Sequence, residues 1–479
     1  MRVKTTIKFG TDGWRSLVAE DFTLPNVRAV IQATAEYLKR HPAAGRPKTV
    51  LVGYDTRPLG DRFAEAVAEV LAGNGFTVWL TASPAPTPAI SNGIKQHRLQ
   101  GGIVVTASHN PFTYNGIKFK PFYAGPAEPE MTRWIEGRLF KGKVRQLELA
   151  EGLKQRKIRK IDLAGEYLRY LKGYVRWDLI RKSAFRIGYD GMLGAGQDLL
   201  ERVLQGTRHR VVRVAYPPNP SSHHRPEPVG EHLDGLGRLV RRERCDMGLA
   251  NDGDADRAGL VGSDGRFVSS QETMAILLWH LLENRRWRGR VVTTVAATNL
   301  MDDLCAHYGV ELIRTPVGFK HIARLIREGG VIFGGEESGG FGFRDCAPER
   351  DGLLAGLLTL EMMVMQRKKL TDLLEGIRRS FGRWSYARAD QALTRPLDPV
   401  KLKRWGEGVR RTGRLPGGAG KPAAVSAEDG VKLFFSDRGW MLLRPSGTEP
   451  LLRIYAEAPS DRRLKALLSA GRTIGRGLA

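Results

Sequence analysis

Patterns typical of buried strands and amphipathic helices alternate three times along residues 1–375, and this alternation constrains the fold more than any other feature. The strands are short apolar runs such as Ile103–Val105, and the helices carry apolar residues at intervals of three and four. Strands and helices in alternation form a parallel or mixed sheet with helices on its faces. The three cycles, each of roughly 110–150 residues, therefore predict three similar α/β domains with mixed sheets.

The carboxyl-terminal part follows a different pattern. Strand-like runs at 431–435, 440–443 and 451–456 lie close together and precede a helix that begins near Asp461. Closely spaced strands of this kind predict a smaller α+β domain. A length of 479 residues agrees with several domains, since domains commonly contain about 100–150 residues. We predict domain boundaries at 1–150, 151–262, 263–375 and 376–479.

Composition excludes several classes of protein. No run approaches the ~18 consecutive apolar residues of a membrane helix, and residues 1–8 contain no apolar signal core. We therefore expect neither a membrane span nor an export signal. The cysteines lie far apart and form no Cys-x-x-Cys pair, which disfavours a disulfide framework or a zinc site and predicts a cytoplasmic protein. They are Cys245, Cys305 and Cys346.

The chain is strongly basic, with 76 Lys and Arg residues against 51 Asp and Glu residues and a formal charge of +25. Such a charge attracts polyanions, either phosphorylated metabolites or nucleic acid. Much of the excess lies in runs such as 154–160, within a segment at 140–175 that we predict to be a helical connector. Solvated helix faces also explain such runs. A nucleic-acid-binding protein thus stays an alternative, although no recognised nucleic-acid motif is present.

The first candidate site follows the apolar run that begins at Gly102. This run ends at the segment 106–111, Thr-Ala-Ser-His-Asn-Pro, where Pro111 cannot continue a strand ladder. Ser108 is therefore predicted to lie just past the carboxyl end of a strand, where open α/β sheets bind their ligands. Ser and Asn also end strands as ordinary turn residues, so this stretch alone leaves a structural role open.

Three carboxylates alternate with small residues in the loop after another apolar strand: Asp252, Asp254 and Asp256. Mutual repulsion makes such a cluster unfavourable unless a cation neutralises it. An all-oxygen set of ligands suits Mg²⁺ or Ca²⁺. An EF-hand would require Gly and Glu where this sequence has Arg257 and Ser263. We predict a hard-cation site of another kind, and the alternative is a solvated acidic turn.

Two further loops carry groups that suit a sugar phosphate. The segment 335–339 places carboxylates and a hydroxyl after a buried strand, an arrangement suited to vicinal sugar hydroxyls. The segment 444–448, Arg-Pro-Ser-Gly-Thr, offers a guanidinium, two hydroxyls and backbone N–H groups, which together suit a phosphate. Either loop alone is also explained as an ordinary polar turn.

Taken together, these four loops resemble the α-D-phosphohexomutase superfamily, which includes phosphoglucomutases and phosphomannomutases. The resemblance spans nearly the whole chain, because the loops follow the family's order and domain spacing. The opening segment 10–15 is also similar to the family's amino-terminal motif, with Asp12 where Ser is frequent. The resemblance implies four domains arranged around a central cleft in a cytoplasmic enzyme of carbohydrate metabolism.

The resemblance also implies roles for particular residues. Ser108 would be the phosphoserine, and Lys118 would be the general acid or base, with its pKa lowered by a cationic neighbourhood. The Mg²⁺ ligands would be Ser108, Asp252, Asp254 and Asp256. The other implied catalytic residues are Arg15, His109 and Arg257. The implied substrate-binding residues are Lys320, Glu336, Ser338, Arg444, Ser446, Gly447 and Thr448.

The expected activity is the interconversion of hexose 1-phosphate and hexose 6-phosphate. Phospho-Ser108 would donate its phosphoryl group to give a hexose 1,6-bisphosphate, the intermediate and activator, and would then recover the other phosphate. Glucose is favoured and mannose is possible, because the segments 336–338 and 318–320 look more like those of phosphoglucomutases than those of glucosamine mutases.

Two alternative enzymes stay open, a phosphoglucosamine mutase and a phosphoserine-dependent sugar phosphatase. The expected partner is a phosphosugar substrate, with no nucleic acid and no membrane, and the expected assembly is a monomer or a homodimer.

Overall fold

The structure is a computed structural model that describes residues 7–217, 225–415, 419–446 and 450–478. The chain divides into two compact units. The first comprises Met1–Gly289 and Gly318–Leu373, and the second comprises Arg290–Val317 and Leu374–Ala479. None of the helices in the described ranges combines the length and the hydropathy that crossing a bilayer requires. The four domain boundaries given above stay a prediction.

The strands in chain order are β1 (Trp14–Leu17), β2 (Thr49–Tyr54), β3 (Thr77–Thr81), β4 (Gly101–Val105), β5 (Tyr114–Pro121), β6 (Ile158–Ile161), β7 (Arg186–Asp190), β8 (Arg210–Arg213), β9 (Met247–Asn251), β10 (Ala258–Gly262), β11 (Phe267–Val268), β12 (Arg290–Thr294), β13 (Leu312–Thr315), β14 (Val331–Gly335), β15 (Phe341–Phe343), β16 (Ser385–Ala392), β17 (Ala424–Ser426), β18 (Val431–Phe434), β19 (Trp440–Pro445) and β20 (Leu451–Ala458).

The helices in chain order are α1 (Leu24–Arg40), α2 (Gly60–Gly73), α3 (Thr87–Gln96), α4 (Pro129–Arg138), α5 (Leu149–Lys154), α6 (Ala164–Tyr174), α7 (Trp177–Ile180), α8 (Leu199–Leu204), α9 (Asp234–Arg242), α10 (Ser270–Trp279), α11 (Leu300–Tyr308), α12 (Phe319–Glu328), α13 (Gly352–Gln366), α14 (Leu370–Phe381), α15 (Pro399–Thr412) and α16 (Asp461–Leu478).

The first sheet of the first unit has the strand order β1-β5-β4-β2-β3-β6. Strands β4, β2, β3 and β6 are mutually parallel, whereas β5 runs antiparallel to both of its neighbours. The second sheet has the order β11-β10-β9-β7-β8, in which β7 is parallel to β8 and β9 and β10 is antiparallel to its neighbours. Both sheets are therefore mixed, as the sequence predicts.

The central strands of the first sheet are buried on both faces, which explains their continuous apolar sequences. On one face, Val52 and Ile103 pack against the apolar stripes of α1 and α2. On the other face, Leu51 and Val104 pack with Ile90 of α3. The two-sided burial fixes the ends of these strands, and so fixes where the loops after them begin.

Each of the three candidate loops in the first unit joins a strand to an antiparallel neighbour. The serine loop lies between β4 and β5, the carboxylate loop lies between β9 and β10, and the sugar loop lies between β14 and β15. The sequence analysis located the first strand of each pair but not the second. Both ends of every loop are therefore held in a sheet.

The second unit contains β12 and β13, which are parallel and are joined through α11, and a five-stranded antiparallel sheet of order β16-β20-β19-β18-β17. Helices α15 and α16 cover one face of that sheet, with Leu402 and Leu467 in its core. On the other face, Trp440 and Tyr455 pack against Val295. The antiparallel sheet with α15 and α16 has the α+β character that the sequence predicts for residues 376–479, and the unit also includes Arg290–Val317.

One prediction about the first unit is wrong. The basic segment 140–175 is not a purely helical connector, because it contains β6, which pairs in parallel with β3. In β6, Ile158 is buried while Arg159 and Lys160 are exposed. A short edge strand with one buried residue among charged ones lacks the apolar pattern by which a strand is recognised in a sequence.

Candidate active site

The serine loop is held in a conformation that is rare for a side chain other than glycine. Ser108 has a φ of 53°, in the left-handed region. Its backbone N–H donates to Thr106 Oγ1 at 2.8 Å, and its Oγ donates to Asp252 Oδ2 at 2.9 Å. Ser108 is only 1% exposed. The loop therefore aims its hydroxyl at the carboxylate loop.

Arg57, which the sequence analysis missed, fixes this loop through its backbone. Its guanidinium donates to the carbonyl oxygens of Ser108, Asn110 and Pro111, each at 2.6 Å. Its Nε pairs with Asp55 Oδ2 at 3.1 Å, and Arg57 is 3% exposed. The sequence did contain a signal. Asp55 and Arg57 directly follow β2, so they lie at the carboxyl end of a strand that is parallel to β4, as Ser108 does.

The three carboxylates of the second loop are fully buried, so the alternative of a solvated acidic turn is wrong. Asp252, Asp254 and Asp256 each offer an oxygen within 4.8 Å of the other two. Burial, with the neighbouring charges of Asp256 and Asp254, raises the pKa of Asp252 well above its ordinary value. Oδ1 of Asp254 and Oδ1 of Asp256 are buried without a hydrogen-bond partner. Unpaired buried carboxylate oxygens in an all-oxygen set fit a hard divalent cation such as Mg²⁺.

The carboxylate loop approaches the serine loop so closely that a side chain between them would clash. A Cβ on Gly253 would lie 2.4 Å from the carbonyl oxygen of Ser108. Gly194 in turn packs on Gly253, because its own Cβ would lie 2.6 Å from the Gly253 carbonyl oxygen. These glycines let three loops of the first unit stack on one another.

Lys118 lies among carboxylates rather than among cations. Its Nζ is 2.7 Å from Asp254, 3.1 Å from Asp256 and 3.0 Å from Asp12. Burial alone would lower the pKa of Lys118, but these carboxylates outweigh burial and raise the pKa above its ordinary value. The expectation that cationic neighbours lower the pKa of Lys118 is therefore wrong. The same ammonium lowers the pKa of Asp254 against the effect of burial.

Arg350 is a second residue that the sequence analysis missed. Its guanidinium is 2.7 Å from Asp12, 2.7 Å from Asp256 and 3.3 Å from Glu336. It therefore connects the amino-terminal motif, the carboxylate loop and the sugar loop. Its neighbour Glu349 accepts from Lys120 of β5. Arg350 and Glu349 lie in a segment, 345–351, that carries no pattern of its own in the sequence.

The sugar loop is buried beside the carboxylate loop. Glu336 is 5% exposed, and its Oε1 accepts from Ser338 Oγ at 2.7 Å. An exposed acidic turn is therefore excluded. Arg257 pairs with Gly340 in an isolated bridge, and the Arg257 backbone N–H donates to Asp252 Oδ1 at 3.0 Å. Glu336, Ser338 and Arg257 are thus brought to the carboxylates.

The other predicted residues of the first unit lie around the same loops. Arg15 donates to Asn110 Oδ1 at 2.9 Å. His109 Nδ1 is 3.5 Å from Ser108 Oγ, and burial together with Arg257 and Arg15 lowers the pKa of this imidazole well below its ordinary value. Lys320 lines a cavity of about 180 Å³ together with Asp12.

Two of the predicted phosphate-binding residues are described in the second unit. Arg444 Nε pairs with Asp429 Oδ2 at 2.8 Å, and the same oxygen accepts from the Val317 N–H at 2.8 Å. The Ser446 N–H donates to the Leu451 carbonyl oxygen. The other two predicted residues, Gly447 and Thr448, lie outside the described residues.

Comparisons with known proteins place the chain in a family. Four regions match the phosphoglucomutase/phosphomannomutase domains: residues 6–146 match alpha/beta/alpha domain I, residues 165–265 domain II, residues 269–381 domain III and residues 414–471 the C-terminal domain. A phosphoglucomutase/phosphomannomutase of Thermococcus kodakarensis is 32% identical over 468 residues, covering 97% of each chain. A probable phosphoglucosamine mutase of Thermococcus gammatolerans is 32% identical over 461 residues, covering 96% of each chain.

The fold agrees with the sequence comparison. The crystal structure of a putative phosphomannomutase from Thermus thermophilus superposes with a TM-score of 0.84 and 32% identity, covering 99% of this chain and 100% of that one. The protein therefore belongs to the phosphoglucomutase/phosphomannomutase family of the α-D-phosphohexomutase superfamily, whose members are phosphohexomutases.

Proposed function

We propose that this phosphohexomutase interconverts hexose 1-phosphate and hexose 6-phosphate through a phosphoserine at Ser108 and a hexose 1,6-bisphosphate intermediate. The contact that supports this proposal most directly is the 2.9 Å hydrogen bond from Ser108 Oγ to Asp252 Oδ2. It puts a nucleophilic oxygen next to a buried carboxylate triad, as a metal-assisted phosphoryl transfer requires.

The proposed metal ligands are Asp252, Asp254, Asp256 and the group on Ser108. Mg²⁺ bound there would neutralise charge on the phosphoryl group during its transfer. The residues of the chain orient the reacting oxygen: Arg57 fixes the Ser108 carbonyl, and the Arg257 N–H donates to Asp252.

In the proposed reaction, the bond between Ser108 Oγ and phosphorus breaks as a hydroxyl oxygen of the sugar bonds to the same phosphorus. Lys118 is proposed as the general acid and base. Its ammonium, paired with Asp254 and Asp256 within 3.1 Å, would donate a proton to the departing Ser108 oxygen and, as the amine so formed, would accept the proton of the sugar hydroxyl. Arg15 and Arg257 are proposed to bind the transferring phosphate. His109, with its lowered pKa, is proposed to act there as a neutral hydrogen-bonding group.

The proposed substrate-binding groups are divided between the loops. Glu336 and Ser338 would bind sugar hydroxyls, in keeping with their mutual hydrogen bond beside Arg350. Arg444, Ser446, Gly447 and Thr448, with Lys320, would bind the phosphate that is not being transferred. The bisphosphate must turn over between the two half-reactions, which a basic environment favours by retaining the anion.

The sugar itself is proposed as glucose or mannose, with glucosamine as the alternative. Curated relatives of similar identity are named for both kinds of activity. A comparison of kcat/KM for glucose, mannose and glucosamine 1-phosphates decides between them. The preferred sugar is expected to exceed the others by at least about tenfold, which corresponds to ~1.4 kcal/mol in the transition state.

The mutase reaction is tested by following glucose 6-phosphate formed from glucose 1-phosphate, with and without glucose 1,6-bisphosphate. We expect the bisphosphate to stimulate the reaction and Ser108→Ala to abolish it, while Ser91→Ala, a buried serine of α3, retains it. Free phosphate as the main product would instead establish the phosphatase. Undiminished mutase activity in Ser108→Ala would remove Ser108 from its proposed role.

A further inference from the structure

A cavity other than the one beside Asp12 lies at the end of the first sheet opposite to Ser108. Ser108 follows the carboxyl end of β4, whereas Phe122 follows Pro121 of β5, which pairs with Gly101 at the amino end of β4. Gly330, which also lines the cavity, directly precedes the amino end of β14. The cavity therefore lies at the amino ends of strands whose carboxyl ends carry the serine and sugar loops, and it is separate from the candidate active site.

The cavity has a volume of about 310 Å³ and a strongly basic lining. Four cationic side chains from four separate segments line it, and Asp345 is the one acidic residue among the described residues of its wall. Its volume corresponds to several water molecules at about 30 Å³ each, enough for a small anion. The cationic residues are Arg46, Lys95, Arg327 and Arg344.

Arg46 is a cation without a matching carboxylate. Its guanidinium lies over the ring of Phe122 at 5.2 Å, and its Nη1 donates to the Leu99 carbonyl oxygen at 3.1 Å. It forms no ion pair with an acidic residue of the described ranges. Partial burial and the charge of Arg98 lower the pKa of Arg46 from its ordinary value. Phe122 beneath it is 41% exposed.

Arg327 is arranged in a similar way over the neighbouring ring. Its guanidinium lies over the ring of Tyr123 at 4.3 Å, and its Nη2 pairs with Glu128 at 3.0 Å. A guanidinium has five N–H donors in one plane, so an arginine that lies over a ring and bonds a single carboxylate oxygen retains free donors. Each of these two arginines is thus supported by an aromatic ring and has donors to spare.

The remaining two cations are more fully engaged. Lys95 Nζ donates to the carbonyl oxygens of Asp345 at 2.5 Å and of Cys346 at 2.8 Å, and Arg344 Nε is 3.3 Å from Asp345. They still add positive charge to the wall. Arg46 and Arg327 are therefore the groups that a ligand would meet with free hydrogen-bond donors.

We propose that this cavity binds a small anion with two or more linked phosphates, held at one end by Arg46 and at the other by Arg327. The two guanidinium groups lie over adjacent rings, Phe122 and Tyr123, whose centroids are 5.5 Å apart. Two such groups match two linked phosphates, since each guanidinium can bond one phosphate in bidentate fashion. The shared chemistry is the phosphate chain, which inorganic triphosphate and a nucleoside triphosphate both carry. This site goes beyond the proposed mutase reaction and does not depend on it.

Isothermal titration of the intact protein with sodium triphosphate tests the proposal, with magnesium chloride matched in both solutions. We expect saturable binding at one site, and at least about tenfold weaker binding in Arg46→Gln/Arg327→Gln, equivalent to ~1.4 kcal/mol. The control is Arg62→Gln/Arg242→Gln, which removes the same charge from two residues whose side chains are each 72% exposed. It should change the affinity less than about twofold if general charge is not the cause.

Two further titrations distinguish binding in this cavity from binding in the active site and identify the kind of ligand. Binding of triphosphate should persist when glucose 1-phosphate saturates the protein. Adenosine triphosphate should bind and adenosine should not, and tighter binding of the nucleotide than of triphosphate would identify the nucleotide as the natural source.

The proposal is overturned if the wild-type protein does not bind triphosphate, if glucose 1-phosphate displaces it, or if both double variants lose affinity equally. Far-ultraviolet circular dichroism checks the fold of each variant. Should the double variant fail to fold, the half-buried Arg46→Gln alone is expected to weaken binding, and unchanged affinity in that variant also overturns the proposal.

Discussion

Arg57 shows how a single buried side chain determines the geometry of the candidate site. Its donors satisfy backbone carbonyl oxygens of the serine loop while Asp55 balances its charge. A lysine has one ammonium with no planar fork and cannot reproduce this pattern. The position of Ser108 relative to Asp252 thus depends on a residue that does not touch the hydroxyl.

Replacing Arg57 with Ala is expected to lower the free energy of unfolding by about 3–5 kcal/mol, because it leaves Asp55 as an unpaired buried charge. Arg57→Lys is expected to keep part of the stability and to lose most of the kcat. Urea denaturation and steady-state kinetics measure these two effects, and Arg62→Lys on the surface is the control. A kcat for Arg57→Lys equal to that of the wild type would contradict the proposed positioning.

Gly253 leads to a prediction about the spacing of the two loops. In Gly253→Ala the new Cβ would lie 2.4 Å from the Ser108 carbonyl oxygen, so the loops must separate. A displacement of about 1 Å in a site of this kind can cost ~100-fold in rate, and we expect a loss of that order in kcat/KM. Gly173→Ala is a matched control, since its Cβ meets nothing within 4 Å. Equal activities in the two variants would show that the loops tolerate separation.

At the scale of single elements, α13 begins with a carboxylate that is buried and titratable. Asp351 caps the helix by accepting from the Leu354 N–H at 2.9 Å, and its Oδ1 also accepts from Tyr167 Oη at 2.8 Å. Burial raises the pKa of Asp351 to about 6. A raised folded-state pKa means that the stabilisation is complete below the unfolded pKa and is lost as the pH rises through the folded pKa.

The wild-type protein is therefore expected to lose stability relative to Asp351→Asn as the pH rises from about 4 to about 7. Asparagine keeps the cap and the acceptor for Tyr167 but does not ionise. The difference should reach about 1–3 kcal/mol, since one pKa unit corresponds to ~1.36 kcal/mol. Urea denaturation of both proteins across this range measures it. If the free energies of unfolding of the two proteins changed in parallel with pH, ionisation of Asp351 would not destabilise the folded state.

The elements that could be predicted are those in which the pattern of apolar residues in the sequence matches the pattern of burial in the structure. The apolar strands β4, β9 and β14 are of this kind. Strand β5 was missed although Ile117 and Phe119 alternate with Lys118 and Lys120, a pattern typical of a strand with one exposed face. The pattern does not predict that both lysines are buried as well. Buried lysines are stable only with acidic partners, here Asp12 and other residues distant in sequence, which periodicity does not detect.

At the scale of the whole molecule, the four loops, including the carboxylate triad, could be recognised because their chemistry is concentrated in short segments. Arg350 could not be, since its role arises from contacts with Asp12, Asp256 and Glu336, which lie in three separate parts of the chain. The same reason explains the error about Lys118, whose carboxylate neighbours become visible only in the fold.

The formal charge of +25 leads to a prediction for the whole molecule. A basic field accelerates the encounter with an anionic sugar phosphate, and salt screens it over about 10 Å at 0.1 M. We expect kcat/KM for glucose 1-phosphate to fall as potassium chloride rises from roughly 0.02 to 0.3 M, with a smaller change in kcat. Stopped assays at constant magnesium measure both constants. A kcat/KM that does not respond to salt would show that the charge has no part in substrate capture.

The hydrogen bonds from Arg57 to the serine loop have a consequence for the phosphorylated and unphosphorylated states of the proposed enzyme. The guanidinium bonds the main chain and not the Ser108 hydroxyl, so the loop keeps its form whether that oxygen is bare or esterified. The phosphorylated and unphosphorylated forms can then share one backbone, and no refolding of the loop intervenes between successive turnovers.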